Sequence, residues 1–304
     1  MARRDIVVLG SLNMDFVARA EHLPAPGETV LGGRFQMVPG GKGANQANAA
    51  ARLSAGAGVV RLAGRVGNDA FAAHLRASLG AAGVDTAAVV KTGDAPTGIA
   101  MIWLDAAGQN SILVAPGANL LFDVASVEAL RPLYREAACA LFQLETPLAT
   151  VKRAMEIARE EGAVTILDPA PAQGLPRDVL ELADWVTPNE TEARMLAGRD
   201  LEPAEMERAL LAMGARGVVL KLGAAGCFSG GALSPGFAVE VVDTTAAGDT
   251  FNAGFAVALA EKRKTADALR FANAAAALSV TKLGAQTSAP SRVEVDAYCS
   301  FLVP

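Results

Sequence analysis

Short apolar runs of strand length alternate with longer stretches of helical periodicity along most of this chain. The pattern predicts strands over residues 5–10, 59–64, 140–144, 164–168, 185–187 and 217–222. It predicts helices over 43–53, 69–82, 147–161, 189–197 and 203–213. A further apolar strand is expected over 237–242, ahead of two long Ala-rich helices over 247–261 and 265–281. Strands that are apolar on both faces, separated by helices, imply a mostly parallel sheet covered on both sides. Ligands of such α/β sheets sit at the carboxyl ends of the strands.

Two segments break the alternation. Residues 13–35 and 96–114 read as extended, turn-punctuated β segments, and 98–104 with 109–114 reads as a hairpin around Asp105-Ala-Ala-Gly108. A small β layer beside a large α/β body suggests a lid over a cleft. With no linker, repeat or low-complexity stretch, the expectation is one domain over 1–304, its lid formed by about 13–40 and 96–116.

Composition narrows the function. Apolar residues make up 52% of the 304 positions and charged ones 19%, enough for a large core, which excludes extended disorder. The net charge of −5 argues against a nucleic-acid or anionic-membrane surface. No stretch approaches the roughly 18 apolar residues of a spanning helix; one of the longest runs, 253–260, has eight. The basic start Met1-Ala2-Arg3-Arg4 is followed by Asp5 and only five strand-like residues, so no secretory signal is expected. Cys139, Cys227 and Cys299 lie far apart with no metal spacing and read as thiols of a cytoplasmic protein. His22 and His74 are the only histidines and read as surface or satisfied side chains, so catalysis must use Asp, Glu, Lys and backbone dipoles.

The Walker pattern is absent, since Gly41-Lys42 runs into Gly43, and the dinucleotide fingerprint fails at both Gly-x-Gly pairs. Three clusters remain. In Pro39-Gly-Gly-Lys-Gly-Ala-Asn-Gln46, glycines allow close backbone approach before a helix, and Lys42 and Asn45 can share one site; a plain glycine turn with a solvated Lys fits equally. In Asp243-Thr-Thr-Ala-Ala-Gly-Asp-Thr-Phe-Asn252, Ala246, Ala247 and Gly248 leave amides bare at a helix N-terminus, an anion-attracting end, with Asp249 in its first turn. Asp249 is alternatively an ordinary first-turn acid. Asn189 and Glu192, three apart at a helix start, are either an N-cap with first-turn acids or holders of a hydrated magnesium ion and a phosphate oxygen. Asn13 and Asp15 share one side after the first strand, suited to hydroxyl binding or to an Asx turn, and Glu145 ends another strand at the ligand edge.

Together these residues resemble the ribokinase branch of the PfkB carbohydrate kinases across nearly the whole chain. The matching runs are 10–15, 39–47, 116–119, 143–147, 168–171, 187–193, 243–255 and 284–288. The resemblance implies a three-layer α/β/α ribokinase-like fold with a mostly parallel central sheet and a small β-sheet lid. It implies ATP-dependent transfer of the γ-phosphoryl group to the 5-hydroxyl of D-ribose, giving ribose 5-phosphate. By the same resemblance Asp249 is the base and Ala246, Ala247 and Gly248 the anion hole. Asn13, Asp15, Gly41, Lys42, Asn45 and Glu145 become sugar ligands, and Ala100, Ile102 and Val114 the lid residues packing on the sugar. Asn189 and Glu192 match phosphate and magnesium positions, and Lys221, Gly223, Gly226 and Asn273 the nucleotide pocket. Asp243, Thr245, Ser279, Lys282, Gly284 and Ser288 match a site for a monovalent cation, usually potassium, and a homodimer through the lid is implied.

Two positions depart from the pattern: Asp168 stands where Asn is frequent, and Lys221 where Thr or Ser is common. An ordinary carboxylate pKa would suffice for Asp249, because the proton leaves the hydroxyl late. The alternatives are a related kinase acting on deoxyribose, a nucleoside or another sugar, and a non-catalytic sugar-binding protein.

Overall fold

The computed structural model describes residues 4–301; Met1, Ala2 and Arg3, on which the expectation about a secretory signal rests, lie outside the described residues. From the N-terminus, β1 (Asp5–Leu9) is followed by β2 (Asn13–Arg19), β3 (Phe35–Gly40), α1 (Lys42–Ser54) and β4 (Val60–Gly67). Then come α2 (Ala70–Ala81), β5 (Val84–Asp85), β6 (Val89–Thr92), β7 (Gly98–Leu104) and β8 (Asn110–Ala115). A short turn of 3₁₀ helix, Gly117–Leu121, leads to α3 (Val124–Glu128), α4 (Arg131–Arg135), β9 (Ala137–Phe142), α5 (Leu148–Glu160) and β10 (Val164–Leu167). Next are α6 (Arg177–Leu180), β11 (Trp185–Val186), α7 (Glu190–Ala197) and α8 (Pro203–Ala212). The chain closes with β12 (Leu220–Lys221), β13 (Gly226–Ser229), β14 (Ala232–Pro235), α9 (Ala247–Ala260), α10 (Thr265–Ser279) and α11 (Arg292–Phe301).

The central seven-stranded sheet runs β11-β10-β9-β1-β4-β5, with β6 also on β4, and its pairings are parallel. Alternate side chains leave it on opposite faces. Ile6, Val8, Leu62, Leu141 and Ile166 pack under α1, α2, α9 and α10, while Val7, Leu9, Ala63, Phe142 and Leu167 pack under α5 to α8. Each fully buried large side chain of this kind contributes about 1.5–3 kcal/mol. The result is the expected three-layer α/β/α arrangement. Among the described residues no helix is long and apolar enough to cross a membrane.

A second, four-stranded sheet, β3-β2-β7-β8, stands beside this body. Its register lines up Val38, Asp15, Ala100 and Val114 in one row across the four strands. Met14 and Phe16, on the opposite face, pack on the core, Phe16 edge-to-face with Phe71 of α2 at 5.5 Å. The Asp15 face is thereby left for the cleft.

Several expectations are corrected. Residues 237–242 form no strand: β14 ends at Pro235, Gly236 crosses to the Ala225 carbonyl, and the amides of Val242 and Asp243 both turn to the carbonyl of Val280. The expected strand over 217–222 shrinks to β12, with single bridges from Val218 and Lys221 toward β11 and α7. The extended segment expected over 13–35 is a strand only at its two ends: Asn13 and Asp15 open β2, Phe35 opens β3, and 20–34 carries no regular structure. The β13–β14 hairpin adds to the expected elements, and Gly230-Gly231, both at positive φ, is its hairpin signal in the sequence; Glu207 of α8 accepts from both of their amides.

The head of α1 is pressed onto the β1–β2 connection. A Cβ on Gly43 would sit 2.6 Å from the backbone carbon of Gly10. Gly43→Ala is therefore expected to cost about 1–3 kcal/mol in a urea titration. Wild-type stability in that variant would show that α1 can slide away from the loop.

Candidate active site

Asp249 sits in the first turn of α9, 7% exposed, at the carboxyl end of the central sheet. Burying a carboxylate is costly unless donors meet it. Here Asn45 Nδ2 donates to its Oδ2 at 3.1 Å and Gln46 Nε2 to its Oδ1 at 3.0 Å. Each amide is itself oriented: Gln286 Nε2 donates to Asn45 Oδ1 at 3.3 Å, and Gln143 Nε2 to Gln46 Oε1 at 2.6 Å. Gln46 Nε2 also donates to Asp168 Oδ2 at 3.0 Å, so one amide nitrogen bridges two carboxylates.

Burial raises Asp249 to about 6, with the Asp168 charge adding to it, against the lowering by Lys42 and by the two amide donors. An ordinary value would suffice for the chemistry; the raised one follows from an enclosure of the side chain that the sequence could not show. Lys42, at the start of α1, is pushed down by burial, but the charges of Asp249, Asp168, Glu145 and Glu192 outweigh this and hold it firmly protonated.

The end of α9 is built unusually. Ala246, its N-cap, has φ 58° and ψ 17°, a left-handed backbone that costs an alanine energy and recurs at functional sites. The amide of Ala247 turns back to the Thr244 carbonyl at 3.2 Å, so Ala247 does not offer the free donor expected of it. Among the described residues no acceptor takes the amide of Gly248.

Two cavities meet at this end. One, of about 450 Å³, is lined by Lys42, Asp168, Asn189, Glu192, Gly248 and Asp249. The other, of about 570 Å³, is largely apolar and is lined by Phe237, Val239, Val241, Phe251, Asn273 and Val280. Lys221, Gly223, Thr244, Ala247 and Gly248 line both, which makes them one continuous cleft.

Beside Asp249, Glu145 accepts from the hydroxyl of Ser11 and, at 3.2 Å, from the amide of Lys42. Asn13 accepts from Asn119 Nδ2 at 2.8 Å. Asp15 is 9% exposed, and its Oδ1 has no hydrogen-bond partner among the described residues. A buried acceptor of that kind calls for a donor from outside the chain.

The comparisons with known proteins agree in kind. The model of the pfkB family carbohydrate kinases matches residues 3–292. The chain belongs to that family. It is a phosphotransferase, 41% identical over 302 residues to a ribokinase of Haemophilus influenzae, covering 96% of this chain and 97% of that one. A ribokinase of Bacillus subtilis is 43% identical, covering 96% and 98%. The structure of an Arabidopsis thaliana ribokinase complexed with ribose and ATP superposes with a TM-score of 0.90 at 35% identity, covering 98% of each chain.

In this kinase the structure gathers most residues singled out from the sequence. Asn13, Asp15, Lys42, Asn45, Glu145 and Asp249 converge, and Gly41, at φ 90°, passes so close to the β1–β2 connection that a Cβ would meet the Asn13 amide at 2.7 Å. Ala100, Ile102 and Val114 share the Asp15 face of the second sheet, with Val114 41% exposed. Asn189 and Glu192 form a reciprocal capping box, as the N-cap reading expects, and both also line the cleft. Burial raises the Glu192 carboxyl, against the pull of Lys221.

Gly223 and Gly226 flank the second cavity, while Asn273 has its Nδ2 turned to the carbonyls of Ser234 and Pro235. Asp243 accepts from the amide and hydroxyl of Thr245 and from the amide of Gly284, joining those three. Ser279 and Ser288 hydroxyls donate to carbonyls three residues back, and Lys282 pairs with Glu294 at 2.7 Å, away from Asp243. Sequence reasoning gave no role to Gln46, Asn119, Gln143, Asp168 or Gln286. All five lie in the runs quoted above, but nothing local shows which side chains a distant carboxylate will need.

Burial raises Asp15 from 3.8 to about 7, with Glu145 and Asp249 adding repulsion and Lys42 opposing. The folded state therefore holds this proton more tightly than the unfolded chain does, and stability falls as pH rises from 3.8 to about 7. Asp15→Asn is expected to raise the urea midpoint most above neutrality and progressively less toward pH 3.8. A gain of equal size at every pH would show that ionisation is not its cause.

Proposed function

We propose that this kinase transfers the γ-phosphoryl group of ATP to the 5-hydroxyl of D-ribose. The carrying observation is Asp249, buried and held by two amides, beside the Gly248 amide, which no acceptor among the described residues takes, where the two cavities meet. The ribokinases named above supply the acceptor. The apolar cavity fits a nucleotide base, and the shared walls Gly223, Ala247 and Gly248 suit the phosphates that follow it. The polar cluster of Asn13, Asp15, Lys42, Asn45 and Glu145 offers donors and acceptors for the hydroxyls of a pentose.

Phosphoryl transfer asks the protein mainly for positioning and charge neutralisation. Asp249 takes the proton of the attacking hydroxyl. Its value near 6 leaves it mostly ionised at neutrality yet more basic than an ordinary carboxylate, closer to the operating pH. The amide of Gly248, at the positive end of α9, meets the growing charge on the phosphoryl group. Ala246 holds the turn that bares it, and Ala247 closes it. The sheet β3-β2-β7-β8 acts as a lid of a single domain, with Ala100, Ile102 and Val114 against the sugar, excluding water.

Magnesium is usually held by one or two carboxylates, waters and the substrate phosphates. The cleft fits that pattern: among the described residues no three His, Cys, Asp or Glu side chains are arranged to hold a metal by themselves, and Glu192, its oxygens already accepting from Asn189, would hold the ion through water. Bound there, it would neutralise phosphate charge. For a potassium ion, Asp243 offers a half-exposed carboxylate, kept ionised against its burial by bonds from Thr245 and Gly284. It ties the loop before α9 to the loop after α10, and Ser279, Lys282 and Ser288 lie along the same connection. A homodimer is proposed through the lid, because edge strand β8 is exposed throughout and displays Ile112, Leu113 and Val114. The free thiols of Cys139, Cys227 and Cys299 favour a cytoplasmic setting.

A coupled ADP-release assay over pentoses, hexoses and nucleosides tests the acceptor, with D-ribose expected to give the highest kcat/KM. Asp249→Asn is expected to lower kcat by about 10²–10⁴-fold while ATP binding survives. Near wild-type turnover in that variant would remove Asp249 as the base. Replacing potassium by sodium is expected to lower turnover, and indifference to the ion would remove the cation site.

A further inference from the structure

The two positions at which the chain departs from the family pattern are bonded to each other. Lys221 Nζ donates to Asp168 Oδ1 at 2.9 Å, with side-chain exposures of 12% and 3%. A buried ion pair of this kind adds little to stability, since apolar residues of the same volume often do as well. Its place in the cleft is informative. Lys221 lines both cavities, and a methyl group on Gly248 would lie 3.4 Å from its ammonium. Its backbone is fixed by a hydrogen bond to the Pro188 carbonyl and a bridge to Asn189. Among the described residues Asp168 is the only hydrogen-bond acceptor for its ammonium, which carries three donors.

Charge points the same way. The cavity around Asp249 is lined by Asp168, Glu190, Glu192 and Asp249 against two cations, Lys42 and Lys221. A triphosphate entering such a site needs fixed positive charge. Lys42 stands at the sugar end, at the head of α1, and Lys221 stands where the two cavities join.

We propose that Lys221 binds the phosphoryl oxygens of the nucleotide beside the Gly248 amide, and that Asp168 is the positioning residue that aims its ammonium there. This rests on the kinase reading above. Asp168 is well placed for the role: Oδ1 holds Lys221, and Oδ2 is held by the Gln46 amide that also holds Asp249. An Asn at 168 keeps an oxygen for Gln46 and loses only the ionic arm.

The test is a double-mutant cycle of Asp168→Asn and Lys221→Thr, read by calorimetric titration of a non-hydrolysable β,γ-imido ATP analogue with magnesium. Each single variant is expected to bind the analogue at least tenfold more weakly. The double variant should lie within twofold of Lys221→Thr alone, and ribose affinity should move less than twofold in all three. Effects that multiply would overturn the positioning role of Asp168. A double variant with wild-type nucleotide affinity would overturn the whole proposal. Lys221→Thr leaves a buried carboxylate unpaired; if it fails to fold, the uncharged double variant decides alone, tenfold weakening supporting the proposal and wild-type affinity ending it. Nucleotide affinity is read apart from turnover, so a wild-type chain that binds the analogue but phosphorylates no sugar refutes the kinase reading and not this one. A wild-type chain that binds no nucleotide overturns both.

Discussion

The constraint on which the rest depends is that one carboxylate must be taken out of water and still be able to ionise. Burial alone would leave Asp249 neutral and inert. Asn45, Gln46 and Lys42 counter it, and all three come from the first turns of α1. The head of α1 must therefore meet the head of α9 at close range. The packing of the body follows from that meeting: α1 and α9 lie on the same face of the sheet, and α1 is pressed on the β1–β2 connection through Gly43.

A second layer keeps the donors honest in direction. A carboxamide can present its oxygen or its nitrogen, and only the nitrogen helps a carboxylate. Gln143 and Gln286 remove the choice by donating to the oxygens of Gln46 and Asn45. Asp168 then accepts a hydrogen bond from the remaining N–H of Gln46 and ties in Lys221. The charges of the cleft form one connected set, so a change at its nucleotide end is felt at the base.

The second sheet brings a different logic. Its inner and outer faces are separated by the period of two along β2. Met14 and Phe16 anchor it to the core, and Asp15 between them is turned to the cleft with one oxygen unpartnered among the described residues. Stability is lost there in favour of binding, since a buried acceptor left open is useful only to an incoming hydroxyl.

Much of this was legible in the chain. The period-two strands, the helical runs, the glycine-rich start of α1 and the small-residue start of α9 depend on neighbours within a few residues, and such local physics survives in one dimension. Hence Asp5–Leu9, Lys42–Ser54 and Ala247–Ala260 came out within a residue or two, and Asp249 stood out beside Gly248. Residues 237–242 misled because an apolar run states a wish to be buried and says nothing of whether a strand lies alongside to pair with. The meeting of Asn45 with Asp249 across 204 positions and the bond between Lys221 and Asp168 were decided only by the tertiary structure. The values of about 6 and 7 for Asp249 and Asp15 belong to the same class. Burial and the charges facing a group are properties of what folding brings near it, and no local pattern carries them.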